Sequence, residues 1–308
     1  MRFLQRSGKE ITLFKSGYIG IIGRPNVGKS TLLNTIIGER IAITTPKPQT
    51  TRNRIMGIRN VTNGQMIFLD TPGIHKASTP LNQLMVNTAT ETFRNADLLL
   101  LLVEANAGLH RGDLAIIRSL EKVRRPVILV VNKTDLVPKD TLPTLVTAFQ
   151  ETFSFADTLP LSALIGNGVD ALLDKLWQFL PEGPPYFPTE QMTDRSERFV
   201  AAEIVREQVL LLTHQEIPYS TAVLVETFKE DEAKNLISIQ ATIHVEKDSQ
   251  KGILIGKKGA MLKKIGTAAR LEMEKFFAAR IYLELFVRIQ KDWTHDKRML
   301  REFGYIDQ

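Results

Sequence analysis

The chain has 308 residues, 43% of them hydrophobic and 24% charged, a globular composition too apolar for intrinsic disorder and long enough for two cores. It contains no cysteine, which excludes disulfide frameworks, Cys-ligated zinc or iron-sulfur sites and thiol redox chemistry, and favours a reducing cytosol over a secreted setting. The formal charge of +6 points to a polyanion partner only if the basic residues cluster.

The opening stretch MRFLQRSGKEITLF mixes charges through what would be the apolar centre of a signal peptide, so export is not expected. Short continuous apolar runs at 18–22, 65–69, 98–103 and 127–131 alternate with longer helical patterns. Such runs read as strands buried on both faces, which makes the first part an α/β domain built on a mostly parallel sheet. The run at 98–103 is closed by Asp97 and Glu104 and falls far short of the roughly 20 apolar residues of a membrane-spanning helix.

Gly23, Arg24, Pro25, Asn26, Val27, Gly28, Lys29 and Ser30 complete the pattern GxxxxGK followed by Ser or Thr, and Thr31 leads into a helical stretch. The glycines let backbone N–H groups curl toward phosphate oxygens, and the helix N-terminus adds its positive end. Lys29 then reaches the outer phosphates and the Ser30 hydroxyl ligates magnesium. Residues 44–52 are polar and proline-bearing and read as a mobile loop. Its threonines are candidates for a second protein ligand to magnesium, with Thr51 preferred and Thr50 the alternative. Asp70, Thr71, Pro72 and Gly73 end the run at 65–69. An Asp there can hold magnesium through water, and the Gly73 N–H can contact the terminal phosphate and register its loss.

Asn132, Lys133, Thr134 and Asp135 follow the run at 127–131, at the strand end where open α/β sheets bind ligands. The Asp carboxylate can accept from guanine N1 and from the 2-amino group. Adenine lacks that donor pair, so the pocket should select GTP over ATP. Lys133 offers its stem to the base face, and Asn132 braces the loop. Ser162, Ala163 and Leu164, after a strand at 158–161, fit a last loop whose N–H approaches the base oxygen.

In this order the five motifs resemble those of the translation-factor class of GTPases. The resemblance covers the first domain and implies magnesium-dependent GTP hydrolysis with Lys29, Thr51 and Gly73 at the reacting phosphate. Ile74 stands where Ras-like enzymes carry a glutamine that orients the attacking water, so water positioning comes from elsewhere and slow intrinsic turnover is expected. Asn26 resembles the asparagine of potassium-stimulated members, which makes potassium a second candidate cofactor.

Pro181, Pro184, Pro185 and Pro188 forbid regular hydrogen-bonded structure and mark an extended connector. Beyond it, helical spacing at 197–214 precedes strand patterns at 221–228 and 236–245. A helical stretch at 251–279 follows, interrupted by Gly256, Gly259 and Gly266, then a strand at 281–289 with one buried face and a helical tail after Lys291. Gly256, Lys257, Lys258 and Gly259 form a GxxG turn, with Lys263 and Lys264 close behind. Residues 251–270 hold six basic side chains and no acid, whereas 190–246 hold eleven acids against five bases, so the positive charge is a patch. Tight glycine turns let a nucleic-acid backbone approach, the lysines meet phosphates, and bases can lie in an adjacent apolar groove. The motif and the order of elements resemble a type II KH domain.

A G domain over 16–181, a link over 182–189 and an RNA-binding unit over 190–308, closed by Asp292, Trp293 and Tyr305, together resemble the Era family of ribosome-assembly GTPases. The resemblance spans 16–305 and leaves the first 15 residues unmatched. It implies binding near the 3′ end of small-subunit (16S) ribosomal RNA and a role in 30S subunit maturation. It further implies a cytoplasmic monomer with partial peripheral association at the inner face of the cell membrane. The related Der proteins use such a unit for protein docking, but they carry a second phosphate loop that this chain lacks. A membrane-surface reading of the basic patch lacks an amphipathic basic helix with aromatic anchors.

Overall fold

The computed structural model describes residues 13–47, 49–73, 79–214 and 217–306. The first unit runs β1 (Lys15–Gly23), α1 (Lys29–Ile37), β2 (Ile55–Val61), β3 (Gly64–Asp70), α2 (Pro80–Asn95), β4 (Leu98–Glu104), α3 (Arg111–Leu120), β5 (Val127–Asn132), α4 (Leu142–Gln150), β6 (Asp157–Pro160) and α5 (Val169–Phe179). Its sheet has the order β2-β3-β1-β4-β5-β6, parallel throughout except for β2, which pairs antiparallel with β3.

The continuous leucine run of β4 is explained by what covers it. Leu98, Leu100 and Leu102 pack with α1 and α5 through Leu32, Leu33, Leu172 and Leu176. Leu99, Leu101 and Val103 face the other way, toward Ile116 and Leu120 of α3 and Phe149 of α4. Every residue from 98 to 103 is fully buried, as a central strand between two helical layers must be. The C-terminal ends of β1, β3, β5 and β6 therefore deliver four of the five nucleotide motifs to one rim of the sheet, and the loop bearing Thr51 reaches the same rim because antiparallel β2 begins there.

The proline-bearing connector crosses the end of this sheet away from the nucleotide rim, at the start of β1 and β3. Ser16 N–H donates to the Pro181 carbonyl at 3.1 Å, and the Gln65 side-chain oxygen accepts from the Tyr186 and Phe187 amides at 2.9 and 3.0 Å. Ile58 N–H reaches the Met192 carbonyl at 2.8 Å. A segment unable to pair with itself is thus held by the partners that β1, β2 and β3 offer.

The second unit runs α6 (Glu197–Leu212), β7 (Ala222–Asp231), β8 (Leu236–Val245), α7 (Asp248–Ile255), α8 (Ala260–Phe277), β9 (Arg280–Ile289) and α9 (Lys297–Glu302). In its sheet β7 pairs antiparallel with β8, and β8 pairs parallel with β9. Helices α6 and α8 cover one face through Val200, Val205, Ile265, Ala269 and Met273. The expected break at Gly266 does not occur: α8 runs unbroken through it, and a Cβ there would lie 3.4 Å from the Leu285 Cδ1. A side chain there would make only ordinary contact with Leu285, so the glycine is not required for the packing; the breaks fall at Gly256 and Gly259 alone.

An apolar seam joins the units. Leu81 and Met85 of α2 pack with Trp293, Met299, Leu300 and Phe303 of the C-terminal segment. Trp293 is fully buried, donates its indole N–H to the Ser220 carbonyl at 2.9 Å and stacks on Tyr305 at 5.7 Å. Among the described residues no helix is long and apolar enough to cross a membrane.

Candidate functional site

The phosphate loop connects β1 to α1 without a side-chain cap, so the first amides of α1 keep their N–H groups for a ligand. Gly28 has φ of +99°, and a Cβ there would meet the Asn132 Nδ2 at 2.3 Å. Asn132 donates to the Val27 carbonyl at 2.8 Å and accepts from the Ala163 amide at 2.9 Å. One side chain thereby ties the phosphate loop to the loop at 162–164. Ser162 donates its hydroxyl to the Asp135 carboxylate, which fixes the orientation of that exposed group.

Lys29 is buried, and its Nζ donates to the Gly23 and Arg24 carbonyls at 3.2 and 2.9 Å. Burial lowers its ammonium to about 8, with Asp70 opposing that shift. The Ser30 hydroxyl donates to the Asp70 Oδ2 at 2.7 Å and lies 2.8 Å from the Thr51 hydroxyl, which is itself 3.3 Å from the same carboxylate oxygen. Burial pushes the Asp70 carboxyl up, opposed first by Lys29, and its Oδ1 is buried with no hydrogen-bond partner among the described residues. Two hydroxyls beside one oxygen of a carboxylate whose other oxygen lacks a partner form the hard donor set that a small divalent cation takes.

Thr50 is not part of this convergence. Its hydroxyl lies 2.7 Å from the Thr45 hydroxyl and 2.7 Å from the Lys47 carbonyl, inside its own loop. Thr71 donates to the Ile21 carbonyl at 2.8 Å, and a Cβ on Gly73 would sit 2.7 Å from the Pro25 nitrogen, so the segment 70–73 is pressed against the phosphate loop. Ile74 lies outside the described residues. The cleft between the loop at 43–51 and the phosphate loop has a volume of about 500 Å³, with Lys29, Ser30, Thr31, Thr51, Gly73 and Lys133 among its lining. Asn26 stands at its mouth, its Nδ2 donating to the Pro46 carbonyl at 2.7 Å.

Two further residues were not legible beforehand. Glu104 at the end of β4 pairs with Arg24 at 3.4 Å and with Lys133, so it bridges the phosphate loop and the loop at 132–135. Asp113, fully buried in α3, takes the Arg24 Nε at 2.8 Å. The guanidinium of Arg24 is thus engaged beneath the loop, which leaves its backbone for the phosphates. No motif marks an acid at a strand end; only the paired charges reveal its use.

In the second unit Gly256 and Gly259 hold φ of +70° and +79°, and Lys258 between them is left-handed at +52°. Lys257, Lys258, Lys263 and Lys264 are all exposed. A neighbouring cleft of about 340 Å³ runs between α8 and β9, floored by Leu262, Leu283 and Leu285 and edged by Lys263 and Arg270. It is an apolar trough with a basic rim, entered from the glycine turn. Arg270 and the leucine floor extend the lysine set that the motif alone identified.

Comparison with known proteins matches these two regions separately and then as a whole. Residues 18–133 match a family described as 50S ribosome-binding GTPase, and residues 216–294 match a family described as KH domain. GTPase Era of Syntrophus aciditrophicus is 67% identical over 97% of this chain and 98% of its own length. GTPase Era of Geobacter metallireducens is 55% identical over 95% of this chain and 98% of its own length. A crystal structure of Era in complex with MgGDPNP and nucleotides 1506–1542 of 16S ribosomal RNA superposes with a TM-score of 0.92 at 39% identity, covering 96% of this chain and 100% of that one. An Aquifex aeolicus Era variant bound to GDP and aluminium fluoride gives the same values. With both units, their order and the connector all shared along nearly its whole length, the chain belongs to the Era family of GTPases.

Proposed function

We propose that the chain is a GTP-driven switch that binds small-subunit ribosomal RNA near its 3′ end through the KH unit and assists maturation of the 30S subunit. One observation carries the link between the activities: the loop bearing Thr51 lies between the phosphate loop and α6, so a single segment touches the nucleotide site and the KH unit. The Era complex with MgGDPNP and 16S ribosomal RNA supports the choice of both ligands.

In this reading the unit at 16–181 binds nucleotide, 182–189 links and 190–308 binds RNA. Residues 23–31 and 70–73 surround the phosphates, and Lys29, already charged at neutral pH, exchanges its backbone carbonyls for phosphate oxygens, which stabilise that charge further. Asp135, oriented by Ser162, reads guanine, while Asn132, Lys133, Thr134, Ala163 and Leu164 shape the base pocket. Ser30 and Thr51 would ligate magnesium directly and Asp70 through water; when bound, the ion offsets the charge that builds on the phosphate oxygens. The amide of Asn26 beside the Pro46 carbonyl is where potassium would act, and equal hydrolysis rates in sodium and potassium buffers argue against it. Lys257, Lys258, Lys263 and Lys264 take the RNA backbone while bases enter the leucine-floored trough. Residence in the cytoplasm as a monomer, with a share at the inner face of the membrane, rests on the family resemblance.

Binding of a short single-stranded RNA, with and without GTP, tests the assignment in the parent, in Gly256→Asp and in Lys257→Glu. Both variants are expected to lose affinity by about tenfold, the scale of one or two good contacts. Undiminished binding by both overturns the KH reading.

A further inference from the structure

The second unit reaches into the nucleotide site at the backbone. Arg206 on α6 is 1% exposed and donates through Nη2 to the Thr50 carbonyl, while Glu203 holds the same guanidinium in a two-point grip at 2.6 and 2.7 Å. On the other side of Thr51, Arg52 donates to the Thr221 and Tyr219 carbonyls at 2.7 and 2.9 Å. The Thr51 hydroxyl is therefore set beside Ser30 and Asp70 while both its chain neighbours are held by the other unit. The grip extends along the loop. Glu207, fully buried next to Arg206, accepts from the Thr44 amide at 2.9 Å and pairs with Arg40 at 2.5 Å. Lys47 donates to the Leu210 and Thr213 carbonyls at the C-terminal end of α6. Among the described residues, the loop's own bonds join Thr45, Lys47 and Thr50 and do not reach Thr51.

We propose that Arg206 is a positioning residue for the GTPase reaction: from the KH unit it fixes the Thr50 carbonyl, and so places the Thr51 hydroxyl for the cation that accompanies the third phosphate. Lys47, which anchors the same loop to α6, contributes in the same direction. A carbonyl held by a planar, buried guanidinium has one geometry, whereas an ungripped polar loop samples many, so the grip prepays the ordering of Thr51. The reaction centre is then complete only while α6 is docked. This rests on the reading of Thr51 as a magnesium ligand.

The test compares nucleotide affinities of the full chain, because GDP does not call on Thr51 and a triphosphate analogue does. Arg206→Met is expected to weaken GDPNP in magnesium about tenfold, the scale of one charge-assisted hydrogen bond, while GDP affinity stays at the parental value. Lys47→Met should show the same split at smaller size, and Arg206→Lys, which keeps a donor, should recover part of the loss. The magnesium concentration for half-maximal GDPNP binding should rise in parallel. Thr51→Ala runs beside them. If it leaves GDPNP affinity and magnesium requirement unchanged, the ligand reading itself falls and the proposal with it. If Thr51→Ala shows the split and Arg206→Met keeps the parental ratio of GDPNP to GDP affinity, the positioning role alone is overturned. Equal loss of GDP and GDPNP in Arg206→Met makes it a support of the fold and overturns the proposal as well.

Discussion

Single side chains decide how the nucleotide rim holds together. Asn132 contacts Gly28 so closely that Gly28→Ala must displace it and also force a side chain into φ of +99°. A strain of roughly 1–3 kcal/mol follows, and GTP affinity should drop about 10- to 100-fold in an equilibrium titration. Glu104→Leu should weaken GTP and GDP alike, by a factor of about three to ten, since it releases Lys133 and leaves Arg24 to Asp113 alone, without touching Asp135, the proposed reader of the base. A change in guanine preference would show that Glu104 acts on specificity instead. His244 on β8 is a residue whose effect depends on pH. Burial first, then Arg288, holds its imidazole below the ordinary 6.5, and neither ring nitrogen has a hydrogen-bond partner among the described residues. As pH falls through the ordinary value the unfolded chain binds the proton first, so stability is lost with acidification until the folded group also protonates. His244→Leu should flatten the fall in Tm between about pH 7 and 5.5; identical slopes for parent and variant would contradict this.

At the scale of elements, the sequence is most informative where one strong constraint acts. Runs covered on both faces, such as 98–103, can only be central strands, and β4, β5 and β8 lie where their apolar pattern puts them. Strand β2 carries no such signature: Ile55, Met56 and Ile58 are broken by Gly57 and followed by Arg59 and Asn60. It is a strand because β3 offers an open edge and because α1 sits so close that a Cβ on Gly57 would lie 2.6 Å from Leu33. The phosphate-loop, Asn-Lys-Thr-Asp and GKKG residues were legible for a related reason, since phosphate and base chemistry restrict spacing within a few residues. Glu104, Asp113 and Arg206 were not, because their partners lie about 30 to 160 positions away and only the fold brings them together. Gly266 shows the same limit: glycine spacing suggested a break, while the helix, packed against β9, runs through it with room for a methyl group. Gly266→Ala is therefore expected to raise Tm slightly, by the helix preference of about 0.5–1 kcal/mol, while narrowing the trough against Leu285 and lowering RNA affinity. Opposite signs in the two measurements distinguish a groove effect from a folding effect.

Across the whole molecule, two seams join the units: a polar one, where α6 grips the loop at 40–52, and an apolar one, where α2 meets Trp293 and Phe303. The apolar seam sets how strongly the units stay docked. Trp293→Ala removes a fully buried indole and its hydrogen bond to Ser220, and should cost about 3–5 kcal/mol in denaturant unfolding. On the proposed function the polar seam carries information, because the third phosphate and the α6 contacts would act on one loop, and whatever favours one arrangement of that loop favours its partner contacts by the same free energy. The most direct measurement is the affinity of a short single-stranded RNA for the full chain loaded with GDPNP in magnesium, set against the same chain loaded with GDP. The two affinities are expected to differ by at least about fivefold, the lower range of coupling between sites. Equal affinities in the two nucleotide states would mean that the nucleotide and RNA sites share a chain without sharing a switch.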